Sequence, residues 1–228
     1  MTVWGISDLH LSLAQPERRE DYGKEWGNHV EVLARNWRES VRPEDLVLIP
    51  GDVSMARNHR ELQPDLSWLH GLPGTKVLAA GNHDRWFNRV EKIRPLLRKS
   101  LRIVGGDAIE VHGAIVCGTR GFAVEREVEQ GELDALDAAL SQAAVLRTAG
   151  QPLYVLWHYP PFDAFRRPGA CVARFEAAGV TACLYGHLHA RSQWPLAVQG
   201  VVNAVSYHCV AADAIGFRPL RIAPSLLQ

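Results

Sequence analysis

Five short apolar runs in this chain each end on a cluster of Asp, Asn or His, and that repetition restricts the fold more than any other feature. Val3 to Ile6 runs into Asp8-Leu9-His10, Leu46 to Ile49 into Gly51-Asp52, and Val77 to Ala80 into Gly81-Asn82-His83-Asp84. Leu153 to Trp157 leads to His158-Tyr159-Pro160-Pro161, and Ala182 to Tyr185 to Gly186-His187-Leu188-His189. Each run has strand length, is rich in β-branched or aromatic residues, and is mostly continuous rather than alternating. That is the pattern of strands covered on both faces.

Helical patterns separate the runs. Val30, Leu33, Trp37 and Val41 fall at helical spacing, as do Leu133, Leu136, Leu140 and Ala144. Residues 85–99 and 168–178 also read as helices, the first bent or ended by Pro95, and His59 and His70 fall on a polar helix. Alternation of strand and helix predicts an α/β layered fold. Ala108 to Val111, His112-Gly113 and Ala114 to Cys117 read as a hairpin, and Val198 to Ile222 alternates β-prone runs with turns, so the sheets are expected to be mixed.

With 228 residues, the expectation is a single domain over 1–228. Lys plus Arg equals Asp plus Glu at 25 each, which excludes a polybasic or histone-like reading. Charge is uneven locally: residues 85–102 hold seven basic residues against Glu91, and 125–137 hold six acidic residues against Arg126. Cys117, Cys171, Cys183 and Cys209 are widely spaced without a C-x-x-C pair and read as reduced thiols. There is no basic leader before the first apolar run and no apolar stretch near the roughly 20 residues a bilayer requires. A soluble cytoplasmic protein without membrane association is the expectation.

In open α/β sheets the ligand site lies beyond the carboxyl ends of the strands. Here those ends deliver carboxylates, one amide and five histidines, a mixed oxygen and nitrogen set that suits Mn, Fe, Zn or Mg rather than Cu(I) or an iron–sulfur cluster. One ion uses three or four protein ligands, so this supply is enough for two.

The order of these blocks resembles the calcineurin-like metallophosphoesterases, whose pattern is D-x-H, G-D, G-N-H-D/E, a lone H and G-H-x-H. All five blocks occur in order over residues 8–189. The resemblance implies a four-layer α/β/β/α sandwich of two mixed β-sheets flanked by helices, and two divalent metal ions, with Mn, Fe or Zn favoured over Mg. It implies Asp8, His10 and His189 on one ion, Asn82, His158 and His187 on the other, and Asp52 bridging them. Hydrolysis of a phosphate ester by in-line attack of a metal-bridging hydroxide follows. His83 is implied as general acid or electrostatic stabiliser, with Asp84 orienting its imidazole.

Trp26-Gly27-Asn28-His29 and Gly118-Thr119-Arg120-Gly121-Phe122 are similar to segments of a bacterial subgroup of predicted phosphohydrolases in this family. Asn28, His29 and Arg120 are therefore candidate substrate contacts, against the plainer readings of a helix cap and a surface arginine, and Arg85 is a further candidate as a guanidinium partner for phosphate. The remaining histidines, His59, His70, His112 and His208, read as structural or surface residues. Gly51-Asp52-Val53-Ser54-Met55-Ala56-Arg57 departs from the G-D-x-V-D-R-G of phosphoprotein phosphatases, which disfavours that activity. A small phosphorylated substrate is the favoured partner. A nuclease or nucleotide phosphodiesterase is the enzymatic alternative, supported only by the basic stretch, and a non-catalytic scaffold is the alternative of another class. Monoester or diester preference and oligomeric state stay open.

Overall fold

All five apolar runs are strands in the computed structural model, which describes residues 1–18, 23, 26–124 and 127–223. The first half of the chain runs β1 (Val3–Gly5), α1 (His29–Ser40), β2 (Leu46–Pro50), α2 (His59–His70), β3 (Thr75–Ala79), α3 (Val90–Ile93), β4 (Leu101–Ile103), β5 (Asp107–Val111) and β6 (Ala114–Thr119). It continues with β7 (Ala123–Val124), β8 (Glu127–Val128), α4 (Gln130–Leu146), β9 (Leu153–Trp157), α5 (Ala170–Ala177), β10 (Ala182–Tyr185), β11 (Gly200–Val202), β12 (Val205–Cys209) and β13 (Leu220–Ile222).

Two mixed sheets result. One has the order β13-β1-β2-β3-β4, with β1 to β4 mutually parallel and β13 antiparallel to β1. The other has the order β11-β12-β10-β9-β6-β5, parallel in its middle and antiparallel at both edges. The continuous apolar runs make sense once side chains alternate between two cores. Leu46 and Leu48 of β2 meet Tyr154 and Leu156 of β9 and Leu184 of β10 in a core between the sheets. Val47 and Ile49 point the other way, into a core with Leu33 and Trp37 of α1 and Leu62, Leu66 and Leu69 of α2. On the outer face of the second sheet, Val155, Trp157 and Cys183 pack with Leu133 and Leu136 of α4 and Phe175 of α5. The layers are thus helix, sheet, sheet, helix, as expected.

The His112-Gly113 hairpin forms as read, with both turn residues at positive φ (51° and 77°), the conformation that matches strand twist. Two readings need correction, and one strand went unread. Residues 85–99 are not one bent helix: Arg85–Arg89 and Arg94–Leu96 are 3-10 turns on either side of the single-turn α3. Within it Trp86 and Ile93 are buried and Phe87, Val90 and Leu97 pack against the same core from partly buried positions, while Pro95 supplies no amide hydrogen to continue a helix. On α4 the buried position is Ala143, and Ala144 faces solvent. The unread strand is β4, at the end of the basic stretch, where its Leu101-Arg102-Ile103 alternation is only three residues long. Of the acidic stretch, Glu125 and Arg126 lie outside the described residues, as does the Arg89 side chain of the basic stretch. Among the described residues no helix is long and apolar enough to cross a membrane.

The four cysteines are free and buried. Burial pushes the thiols of Cys117, Cys171 and Cys209 up to about 12, and that of Cys183 well above its ordinary value. Above pH 9 the unfolded chain therefore loses protons that the folded chain keeps, and stability falls as pH rises. Burial of Lys76 acts in the opposite sense, because its ammonium is brought down to about 8 and stability gains between there and its ordinary value of 10.5. Four thiols outweigh one amine, so the net effect is a loss of stability, on the order of a few kcal/mol between pH 9 and pH 10. Urea midpoints measured at pH 8, 9 and 10 should drop accordingly; a flat profile would contradict the buried, reduced state of the thiols.

Candidate metal centre

The carboxyl ends of β1, β2 and β3 in one sheet and of β9 and β10 in the other bring the predicted donors together. Asp8 and His10 follow β1, Asp52 follows β2, Asn82 and His83 follow β3, His158 follows β9, and His187 and His189 follow β10. The loops are laced by backbone bonds, with the Asp8 amide donating to Gly51 O (3.1 Å) and the His10 amide to Asp52 O (3.0 Å). Asp8, His10, Asp52 and His187 all sit at positive φ (56°, 42°, 50° and 69°), which costs side-chain-bearing residues on the order of 1 kcal/mol or more each. The glycines that precede these donors have a physical reason. A Cβ on Gly81 would collide with the Asp52 carboxylate, and one on Gly186 with that of Asp8.

Donor atoms of Asp8, His10, Asp52 and His189 all lie within 4.8 Å of one another. Beside them, Asn82 Oδ1 is 2.9 Å from His158 Nε2 and 3.1 Å from His187 Nδ1. Asp52 joins the two groups: its Oδ2 is 3.7 Å from His10 Nε2 and 3.4 Å from His158 Nε2. The other oxygen, Oδ1, accepts the His83 amide at 2.8 Å. Oδ2 is buried and has no hydrogen-bond partner among the described residues, an expensive arrangement for a carboxylate unless a cation completes it.

The surroundings fix the orientation of these groups. His158 Nδ1 donates to Pro50 O (2.9 Å), which leaves Nε2 facing Asn82 and Asp52, the outer bond expected of a ligating histidine. Asp8 Oδ2 accepts from Ser7 Oγ (2.5 Å), and the His187 amide donates to both Asp8 oxygens. Burial pushes the Asp8 carboxyl up to about 7 against the opposing pull of His158. Burial acts the same way on Asp52, but the His158 and His10 imidazoles override it and hold that carboxyl far below the usual range. Burial opposes charge on His158 as well, yet Asp52 prevails and raises it to about 9. Burial holds His10 well below its ordinary value and takes His187 down to about 4. Two buried carboxylates, of which Asp52 already draws positive charge onto His158, beside His10 and His187 held neutral with lone pairs to offer, fit divalent cations.

His83 borders the cluster, its ring 5.1 Å from that of His10 and edge-on to it. Asp84 does not act on that imidazole as expected. Its oxygens accept from the amides of Val53, Ser54 and Gly81 and from the Trp86 indole, at 2.8 to 3.1 Å, which fills the carboxylate's acceptor capacity. Asp84 is a strut between the loops that follow β2 and β3, and burial pushes its carboxyl up to about 6.

The four candidate substrate contacts separate. His29 is 1% exposed, and its ring nitrogens face Trp26 O (2.9 Å) and Leu9 O (3.1 Å), so it braces the Asp8-Leu9-His10 turn and is not placed to touch a substrate. Asn28 is the exposed N-cap of α1 and makes no side-chain capping bond. Arg85 is exposed. Arg120 is half-buried, its Nη2 3.4 Å from Asn88 Oδ1 and its Nε without a partner among the described residues. Two aromatic neighbours carried no assigned role in the sequence. Trp26 stands edge-on to His10 (5.7 Å), and Tyr159 stacks on His187 (4.3 Å). Trp26 belongs to one of the quoted segments, and Tyr159 directly follows His158.

A family model described as calcineurin-like phosphoesterase matches residues 1–191, and the chain belongs to that family. Two proteins named Gene 66 protein, from Mycobacterium phages D29 and L5, are 41% and 32% identical to it over 83 and 82 residues. Each match takes in 36% of this chain and about two fifths of the phage protein, 40% and 39% respectively. Among solved structures, a phosphopantetheinyl hydrolase from Mycobacterium tuberculosis superposes with a TM-score of 0.58 at 15% identity, covering 100% of this chain and 97% of that one. At that identity the likeness concerns the fold, which is the same arrangement of two mixed sheets flanked by helices.

Proposed function

We propose that this chain hydrolyses a phosphate ester of a small or modest-sized substrate with two divalent cations. Asp8, His10 and His189 would hold one, Asn82, His158 and His187 the other, and Asp52 both. The observation that carries the reading is Asp52 Oδ2, buried, lacking a hydrogen-bond partner among the described residues, and flanked by one imidazole from each group. Cations bound there supply Lewis-acid charge to phosphoryl oxygens and lower the pKa of water. The chain's own residues do the rest: His83 gives a proton to the leaving oxygen, and Arg120 offers a guanidinium to a phosphate oxygen. Elemental analysis, with parallel assays on para-nitrophenyl phosphate and bis(para-nitrophenyl) phosphate, tests this. Two ions per chain and turnover of one ester are expected. Two ions with turnover of neither would favour the scaffold.

A nuclease rests on the basic stretch, part of which is already engaged. Arg94 pairs with Asp107 (2.8 Å) and Glu91 (3.7 Å), and Arg102 donates to the carbonyls of Lys99 and Leu101. Single-stranded oligonucleotide is therefore expected to bind no tighter than micromolar at physiological salt. Submicromolar affinity, falling with a log-log salt slope of about −0.7 per phosphate and abolished by Lys92→Gln, Arg98→Gln and Lys99→Gln together, would transfer the reading to a nuclease.

A further inference from the structure

The chain does not turn straight back into a helix after His158. Pro160 and Pro161 have no amide hydrogen with which to extend the sheet, and the backbone swings outward before returning at Pro168-Gly169 to α5. This loop is stapled. Asp163 Oδ1 accepts the amides of Phe165 (2.8 Å) and Arg167 (2.9 Å), Oδ2 accepts from Arg167 Nε (2.7 Å), and the Gly169 amide donates to Pro161 O (2.9 Å). Between the loop and the segment after His187 lies a cavity of about 630 Å³, within the range of small-molecule sites.

Phe162, Leu188, Leu196 and Val128 wall the cavity, and its inner end is formed by Tyr159 and His187. His187 is shared with the donor cluster, since its Nδ1 lies 3.1 Å from Asn82 Oδ1 while its ring stacks on Tyr159. The cavity therefore borders the cation site, with His187 common to both. Its charged lining residues, Asp163 and Arg167, pair with each other at 2.6 Å and leave no charge of either sign in excess. Such walls reward apolar area and offer little to a second phosphate or a sugar.

We propose that this cavity receives a largely apolar alkyl or aryl group of the phosphoester, with the phosphorus at the cation site. The proposal rests on the phosphoesterase reading and adds the substrate class to it. Each methylene buried there should tighten binding by about four-fold until the cavity is full.

Calorimetric titration of the Mn-loaded protein with n-alkylphosphonates from methyl to octyl tests this without turnover. The expected result is a dissociation constant that falls with chain length, with an increasingly negative heat-capacity change. The Leu196→Glu and Ala164→Trp variants, both at exposed positions on the cavity wall, should flatten that dependence. The slope is read within each preparation, so the folded fraction cancels. Failure of methylphosphonate to bind would overturn both the phosphoesterase reading and this one. Binding of methylphosphonate with no dependence on chain length would overturn the apolar pocket alone, as would a dependence that neither variant changes.

Discussion

Asp52→Asn is expected to lower metal content on both sides of the centre at once and to reduce turnover by more than the roughly 100-fold that loss of an outer-shell partner costs. The substitution is nearly isosteric, and the asparagine carbonyl can still accept the His83 amide that Asp52 Oδ1 accepts now. What changes is the other atom. An amide NH2 replaces the buried oxygen that faces His10 Nε2 and His158 Nε2, and a nitrogen without a lone pair to donate cannot join a cation on either side. A change at His189 should by contrast affect only the group formed by Asp8, His10 and Asp52. Elemental analysis of the two variants side by side decides the matter. Asp52→Asn protein that keeps two ions and full activity would remove the bridging assignment.

His83→Ala is expected to leave metal content intact and to slow hydrolysis of esters with poor leaving groups by about 100- to 10,000-fold, the usual contribution of a general acid. The structural reason for intact metal content is specific. It is the His83 backbone amide, not its ring, that holds Asp52 Oδ1, and alanine keeps that amide. Its ring borders the cluster at 5.1 Å from His10, where it can meet a leaving oxygen. Esters of an acidic phenol need little protonation, so their rate should fall much less. Equal losses across both leaving groups would reduce His83 to electrostatic stabilisation, and loss of metal would make it a ligand.

Much of this was legible in one dimension because strand and site are written in the same segments. A strand buried on both faces must be apolar without interruption, and the loop at its end is free to carry polar donors, so Leu46–Pro50 and Gly51-Asp52 announce both at once. The glycines before Asn82 and His187 were equally readable as motif residues. Their cause was not, since it lies in carboxylates that arrive from other loops, as Asp52 does at Gly81 and Asp8 at Gly186.

The misread elements share one feature: their fate depended on partners distant in sequence. His29 looked like a substrate contact because Trp26-Gly27-Asn28-His29 resembles a segment of a family subgroup, yet the Leu9 carbonyl, twenty residues away, takes its ring. Asp84 looked like an orienter of its neighbour His83, but the Val53 and Ser54 amides, some thirty residues back, claim its oxygens. Residues 85–99 had helical composition, and only the packed chain decided that they would break into short turns that set Trp86 and Ile93 into the core with Phe87, Val90 and Leu97 at its edge. The cavity lined by Phe162, Leu188 and Leu196 has no local signature at all, because its walls come from segments that meet only when β9 and β10 pair. By itself the sequence determined the five strands that lead to the donors and the order of those donors, all carried by residues a few positions apart. Only the tertiary structure decided which oxygen of Asp52 stays open between two imidazoles and which apolar surface stands beside it, because burial and hydrogen-bond saturation are properties of the packed chain.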